Sequence, residues 1–257
     1  PLREAFEISS NVGVAKTIAH FYGEKNDRND EEGAARFVRR LKQFNLHQPV
    51  GIEIEGEANP YIKEAYSEAD YWSGTTLPWM SIGYELELTP LQLLTFYNAV
   101  ANDGKMMKPY LVSAIQEMGK VKEQFYPTVI NRRIASKRAI EQLQELLRAV
   151  VENERGTAHD LYTEDYNFAG KTGTAQVNYK RGPRGTRIGG HQASFVWYFP
   201  EENPMYSCIV VINKPRRGGF YGGDVAGPVF REIADNIHRV KPALHPVINA
   251  QPPALAA

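Results

Sequence analysis

Two hundred and fifty-seven residues, 42% of them hydrophobic and 23% charged, suffice to bury a core without staples and exclude a disordered, collagenous or disulfide-scaffold protein. Thirty Lys and Arg balance thirty Asp and Glu, so no global field gathers nucleic acid or an acidic membrane. The single cysteine, Cys208, excludes an intrachain disulfide framework and a multi-cysteine metal cluster, and leaves the redox compartment open.

In chain order, Ser9-Ser10-Asn11 is a polar cap signal for a short helix through Val12, Val14, Ala15 and Ile18. The charged stretch 23–33 reads as mobile. Ala34, Phe37, Val38, Leu41 and Phe44 then recur at helical spacing among basic residues, the pattern of an amphipathic surface helix. Residues 45–85 show no clean period and are expected to be irregular. Thr89-Pro90-Leu91-Gln92 joins a capping hydroxyl, a first-turn proline and a Gln able to bond back to the cap. A helix is predicted from there to Asn102, largely buried because its polar face is so narrow, with Gly104 ending it. Residues 110–115 and 128–130 read as short strands, and Ile140, Leu143, Leu146, Leu147, Val150 and Val151 mark a helix from Ser136 to near Gly156.

Beyond Gly156 the pattern turns to strands, predicted at 167–178, 191–199 and 205–213. The link 200–204 suits an antiparallel hairpin and is too short for a parallel crossover. Val229, Phe230, Ile233, Ala234 and Ile237 form a closing helix that tolerates Pro228 only in its first turn. The Pro- and Ala-rich stretch 241–257 reads as a loosely packed tail. Apolar runs such as 207–213 are strand-sized and short of a membrane span. The chain opens on Pro1 without an apolar leader, so its natural start is expected to have been removed. Helices, then an antiparallel meander, then a helix is an α+β order: a helical part of about 1–156, then sheet and closing helix over about 157–240.

Two glycines inside a strand pattern, Gly170 and Gly173, mark close approach by backbone or ligand. Gly170-Lys171-Thr172 superficially suggests a phosphate loop. That motif needs Gly five residues before its final Gly, where Asp165 stands, and a helix directly after it, where a strand pattern continues. Lys171-Thr172-Gly173 suits instead the K-T-G element of penicillin-recognising serine acyltransferases. Ser9-Ser10-Asn11 supplies an S-x-N element upstream of it, in the expected order.

Together SSNVGVAK (9–16), SIGYELELTPLQL (81–93), NAVANDG (98–104), FAGKTGTAQ (168–176) and YGGDVAGPVF (221–230) closely resemble the transpeptidase domain of class B penicillin-binding proteins, most of all the septal, FtsI-like branch. The resemblance spans about residues 1–239. It implies the penicillin-binding-protein/β-lactamase-like transpeptidase fold, an antiparallel sheet packed by helices with a helical subdomain, and serine acyl transfer between peptidoglycan stem peptides. By carry-over, Ser9 relays a proton toward the leaving group and Asn11 bonds the acyl chain or the catalytic Lys. Lys171 supports the relay and attracts the substrate carboxylate. Thr172 and Thr174 grip that carboxylate beside Gly173, and the Thr174 N–H forms half of an oxyanion hole. No cofactor or metal is implied. The implied partners are stem peptides, β-lactam antibiotics and divisome membrane proteins, not nucleic acid, with the domain on the outer face of the bacterial cytoplasmic membrane. The family's nucleophile belongs to a Ser-x-x-Lys motif, and no Lys in this sequence has Ser three positions before it. The nucleophile and the first part of the domain are therefore expected upstream of the chain, leaving the chain inactive by itself and with an apolar sheet edge that favours association.

Plainer readings stand beside these. Ser9 and Asn11 serve equally as helix caps, and Lys171 as a charge blunting a strand edge. Lys180, Arg181, Arg184 and Arg187 fit a solvated hairpin loop. His191 reads as a structural or site-rim residue, Cys208 as a buried small hydrophobe, and the 221–223 turn as a simple chain reversal before the last helix, with packing beneath the active-site strand the reading that the resemblance adds. As a whole, the chain also admits a non-catalytic scaffold of the same fold, an elongation-type transpeptidase, or a β-lactamase-like hydrolase, for which no residue poised to activate water is evident.

Overall fold

The computed structural model describes residues 2–23, 31–177 and 189–240. The expected mobile charged stretch, the basic cluster 180–187 and the Pro/Ala tail lie mostly or wholly outside those residues. In order, the elements are α1 (Leu2–Glu7), α2 (Asn11–Tyr22), α3 (Glu31–Gln43), β1 (Tyr61–Ile62), α4 (Thr76–Met80), β2 (Leu86–Glu87), α5 (Pro90–Ala101), β3 (Met106–Met107), β4 (Ala114–Glu117), β5 (Lys120–Gln124), β6 (Val129–Asn131), α6 (Lys137–Glu152), β7 (Ala169–Val177), β8 (Gly190–Phe199), β9 (Tyr206–Asn213), α7 (Gly222–Val225) and α8 (Gly227–Val240). The order is α+β, as the pattern predicts.

The main sheet is antiparallel with order β7-β8-β9. Phe195 through Phe199 are buried without a break, as a central strand covered on both faces requires. Their alternation divides the core. Phe195, Trp197 and Phe199 join Phe168 and the α8 residues Phe230 and Ala234 on one face. Tyr198 and Ala169 join Ala99 and Val100 of α5 and Ile140 and Leu147 of α6 on the other. Phe230 is fully buried, with its ring 4.5 Å from Phe168, 4.6 Å from Trp197 and 5.0 Å from Phe195. Truncating it to Ala leaves an aromatic-sized hole that several rings line, and is expected to cost about 3–5 kcal/mol in chemical denaturation. A loss below 1 kcal/mol would show that α8 does not hold this face.

α5 starts as its sequence dictates. Thr89 Oγ1 accepts from the Gln92 N–H, and Gln92 Oε1 accepts from the Thr89 N–H. The Gln92 amide also donates to Gln48 O at 2.8 Å, which satisfies a polar side chain only 2% exposed. None of residues 91–100 is exposed, in keeping with the narrow polar face. Gly104, at φ 85°, ends the helix by donating to Ala99 O.

Two expectations need correction. Of 110–115 only Ala114 and Ile115 are strand, and they belong to a hairpin whose second arm, Lys120–Gln124, the hydrophobic pattern does not reveal. Both arms lie in solvent, so no apolar period marks them. The turn is encoded instead by Met118-Gly119, at φ 49° and 76°, the left-handed pair that a two-residue hairpin loop demands. Residues 45–85 are irregular for the most part, yet hold β1 and the short α4, and β1 pairs with β2 just beyond them. Among the described residues no helix is long and apolar enough to cross a membrane.

Candidate active site

The site begins at the turn between α1 and α2. Two adjacent serines divide the work there. Ser10 caps α2, its Oγ accepting the Gly13 N–H at 3.1 Å. Ser9 is thereby released from capping and stands at φ 53°, in the left-handed region. Its Oγ accepts a hydrogen bond from Lys171 Nζ at 2.8 Å. The plainer reading that Ser9 and Asn11 cap the helix is thereby corrected: Ser10 is the cap, Asn11 is the first residue of α2, and Ser9 is left to meet Lys171. Asn11 opens α2 two residues on and is exposed, and among the described residues its side chain has no hydrogen-bond partner.

Lys171 lies on β7 opposite Val196, and shares a sheet face with Ala169. Its ammonium also donates to Thr172 O at 3.0 Å and sits 5.9 Å from the centre of the Phe6 ring. No carboxylate pairs with it among the described residues. Desolvation, uncompensated by a counter-charge, lowers its pKa from 10.5 to about 8. The lowering brings the free-amine form of Lys171 closer to neutral pH, within hydrogen-bond reach of a serine hydroxyl. That arrangement can move a proton in either direction.

The edge of β7 faces away from the sheet. The Gln176 N–H donates to Tyr84 Oη at 3.1 Å, so it points away from β8. By the two-residue period, the N–H of Thr174 points to the same open edge. An extended peptide could pair with that edge at Thr174, short of the Gln176 N–H that Tyr84 occupies. The two threonine hydroxyls already have partners. Thr172 Oγ1 lies 2.6 Å from Thr157 Oγ1, and Thr174 Oγ1 accepts the Gly222 N–H at 3.1 Å. Thr174 is exposed and Thr172 half-buried, and each hydroxyl keeps hydrogen-bonding capacity for a further group. Gly170 and Gly173 make close approaches within the protein: a Cβ at Gly170 would stand 2.5 Å from Val196 O, and one at Gly173 2.5 Å from Ser194 Oγ.

A set of residues behind the site was not singled out from sequence. Glu7 is 5% exposed, accepts from Arg3 Nε at 2.8 Å and Asn153 Nδ2 at 3.1 Å, and its carbonyl accepts the Thr157 N–H at 3.2 Å. Glu7, Asn153 and Thr157 therefore tie α1, the end of α6 and β7 together, and hold Ser9 opposite Lys171. The only signal nearby was Gly156, read as a helix stop. His191, paired with Gln176 across the ladder, stacks on Phe220 at 4.1 Å between ring centres. Cys208 is half-buried against the α8 face rather than fully buried, because β9 is the last strand of the sheet among the described residues, and desolvation raises its thiol pKa. No group of three or more His, Cys, Asp or Glu suited to a metal occurs among the described residues.

The penicillin binding protein transpeptidase domain family matches residues 1–235. Penicillin-binding protein PbpB of Mycolicibacterium smegmatis is 31% identical over 237 residues, covering 89% of this chain and 34% of that protein. Peptidoglycan D,D-transpeptidase FtsI of Escherichia coli K12 is 27% identical over 254 residues, covering 99% of this chain and 37% of that protein. The chain thus spans about a third of the length of these curated relatives. Among solved structures, apo penicillin binding protein 3 of Mycobacterium tuberculosis superposes with a TM-score of 0.72 at 29% identity, covering 97% of this chain and 54% of that one. The same protein has been solved in complex with aztreonam and with ampicillin, each at a TM-score of 0.70 and 28% identity.

Proposed function

The chain belongs to the penicillin binding protein transpeptidase domain family, and on that premise we propose that it is part of a serine D,D-transpeptidase that cross-links peptidoglycan stem peptides at the division septum and is acylated by β-lactams. The observation that carries the reading is the contact of a lysine with a lowered pKa and a serine hydroxyl, Lys171 Nζ to Ser9 Oγ at 2.8 Å, beside an open strand edge. In the reaction, the nucleophilic serine attacks the penultimate D-Ala carbonyl and the terminal D-Ala leaves as an amine. Ser9, bonded to Lys171, hands the departing amine its proton. The Thr174 N–H stabilises the oxyanion, and Thr172 and Thr174 orient the terminal carboxylate. An amine of a second stem then takes the acyl group. The nucleophile, in a Ser-x-x-Lys motif absent from this sequence, lies upstream in the same protein. The domain works on the outer face of the cytoplasmic membrane, among divisome membrane proteins, and uses no metal or organic cofactor.

Covalent labelling by fluorescent penicillin tests this. The protein extended upstream through its Ser-x-x-Lys motif is expected to take the label, and the present chain is not. No label on either form would favour a non-catalytic scaffold. Label on the present chain would place the nucleophile within it and overturn the assignment of roles.

A further inference from the structure

Thr172 and Thr174 stand two residues apart on β7, so their side chains share a face, and each hydroxyl is met by a group from another part of the chain. The Gly222 N–H donates to Thr174 Oγ1 at 3.1 Å, which leaves the Thr174 proton free for another acceptor. Thr172 Oγ1 faces a second hydroxyl instead, Thr157 Oγ1, at 2.6 Å. Either of those two can donate, and a bound anion decides between them. A hydroxyl carries one proton and a carboxylate only accepts. Thr172 can therefore give its proton to a carboxylate only while it receives its bond from Thr157. Among the described residues neither hydroxyl has a further partner, so no other group competes for the Thr157 proton. Thr157 is held through its backbone as well: its N–H donates to Glu7 O at 3.2 Å, and its carbonyl lies only 3.0 Å from where a Cβ on Gly223 would stand.

We propose that Thr157 is a positioning residue for recognition of the substrate's terminal carboxylate: its hydroxyl donates to Thr172 Oγ1 and so turns the Thr172 proton toward the ligand. The proposal rests on the transpeptidase reading, in which Thr172 and Thr174 orient that carboxylate. Both threonines of β7 then accept from behind and donate forward, Thr174 accepting from a backbone N–H and Thr172 from Thr157, and their two protons match the two oxygens of one carboxylate. Donation from Thr157 also polarises the Thr172 O–H, which strengthens the bond it gives. In this arrangement Thr157 acts only through Thr172.

Benzylpenicillin and its methyl ester separate this role from a structural one, because only the acid presents a carboxylate. The readout is the ratio of their acylation rates on the protein extended upstream through its Ser-x-x-Lys motif. Thr157→Val keeps the side-chain shape and the backbone bond to Glu7 O but removes the hydroxyl. It is expected to lower the acid-to-ester ratio about tenfold, the effect of misdirecting one hydrogen bond to a charged group. Thr157→Ser should restore the ratio. In a Thr172→Val background, Thr157→Val should change it no further, since the two hydroxyls act as one chain. The same cycle read on benzylpenicillin alone decides the case if the ester reacts too slowly to follow. A ratio unchanged by Thr157→Val, even if both reactions slow together, overturns the positioning role and leaves the transpeptidase reading standing. Failure of serine to restore it, or a full effect of Thr157→Val without the Thr172 hydroxyl, overturns the assignment to the hydroxyl chain. If benzylpenicillin does not acylate the parent protein, the transpeptidase reading itself falls, and the role of Thr157 with it.

Discussion

A Lys171→Met variant is expected to melt no lower than the parent chain at pH 7, and to lose that advantage as the pH rises from about 8 to 10.5. Desolvation disfavours the charged form, so the folded chain releases this proton at about 8 and the unfolded chain only at 10.5. Between those values the unfolded state binds more protons, and the parent's stability rises with pH. Below about 8 the parent bears the full cost of burying the ammonium, offset in part by its bonds to Ser9 Oγ and Thr172 O. The difference at pH 7 is on the order of 2 kcal/mol after screening at this half-buried site, a few degrees in melting temperature. Other groups titrate in both proteins alike, so the difference between the two melting curves isolates Lys171. In the upstream-extended protein the same substitution is expected to slow penicillin acylation by about 10²–10⁴-fold, the range for a lost proton relay. A variant that is less stable at every pH would show that the two hydrogen bonds outweigh desolvation. Normal acylation would remove Lys171 from the chemistry.

Gly222→Ala is expected to have the second largest effect. A Cβ there would stand 2.2 Å from Ser194 O and 2.6 Å from Gly173 O, both within the β7-β8 pairing. Real contacts of that kind do not occur, so α7 must withdraw or the strands must part at Gly173. Either movement takes the Gly222 N–H away from Thr174 Oγ1 and shifts the Thr174 N–H from its place on the edge. A destabilisation of about 1–3 kcal/mol is expected by urea denaturation, with β-lactam acylation of the extended protein falling more than stability alone explains. Gly223→Ala should be milder, because its Cβ meets only Thr157 O at 3.0 Å and Thr172 Cγ2 at 3.9 Å. The reverse ranking would mean that α7 is not seated against the sheet in this way.

Legibility in the sequence followed the physical origin of each feature. The helices α5, largely covered, and α6, half-exposed, were predictable because cap and apolar stripe are local signals, and their observed caps are the expected Thr89 and Ser136. The three sheet strands were predictable because each buries a face. The hairpin of β4 and β5 was not, since it buries neither. K-T-G and S-x-N were legible as short strings, but not the separation of Ser10 as cap from Ser9 as partner of Lys171, which depends on the left-handed turn at Ser9. Glu7, Asn153 and Thr157 carry no motif, because their role exists only once α1, α6 and β7 are together.

The α+β order, the family and the strand that bears Lys171 could be read from periodicity, caps and contiguous motifs. Folding adds that Lys171, half-buried, loses part of its water without a counter-charge among the described residues, and that Gly222 is pressed against the ladder beneath Gly173. Each depends on groups far apart in the chain. Desolvation and steric exclusion are sums over neighbours in space, and a one-dimensional pattern carries no record of them.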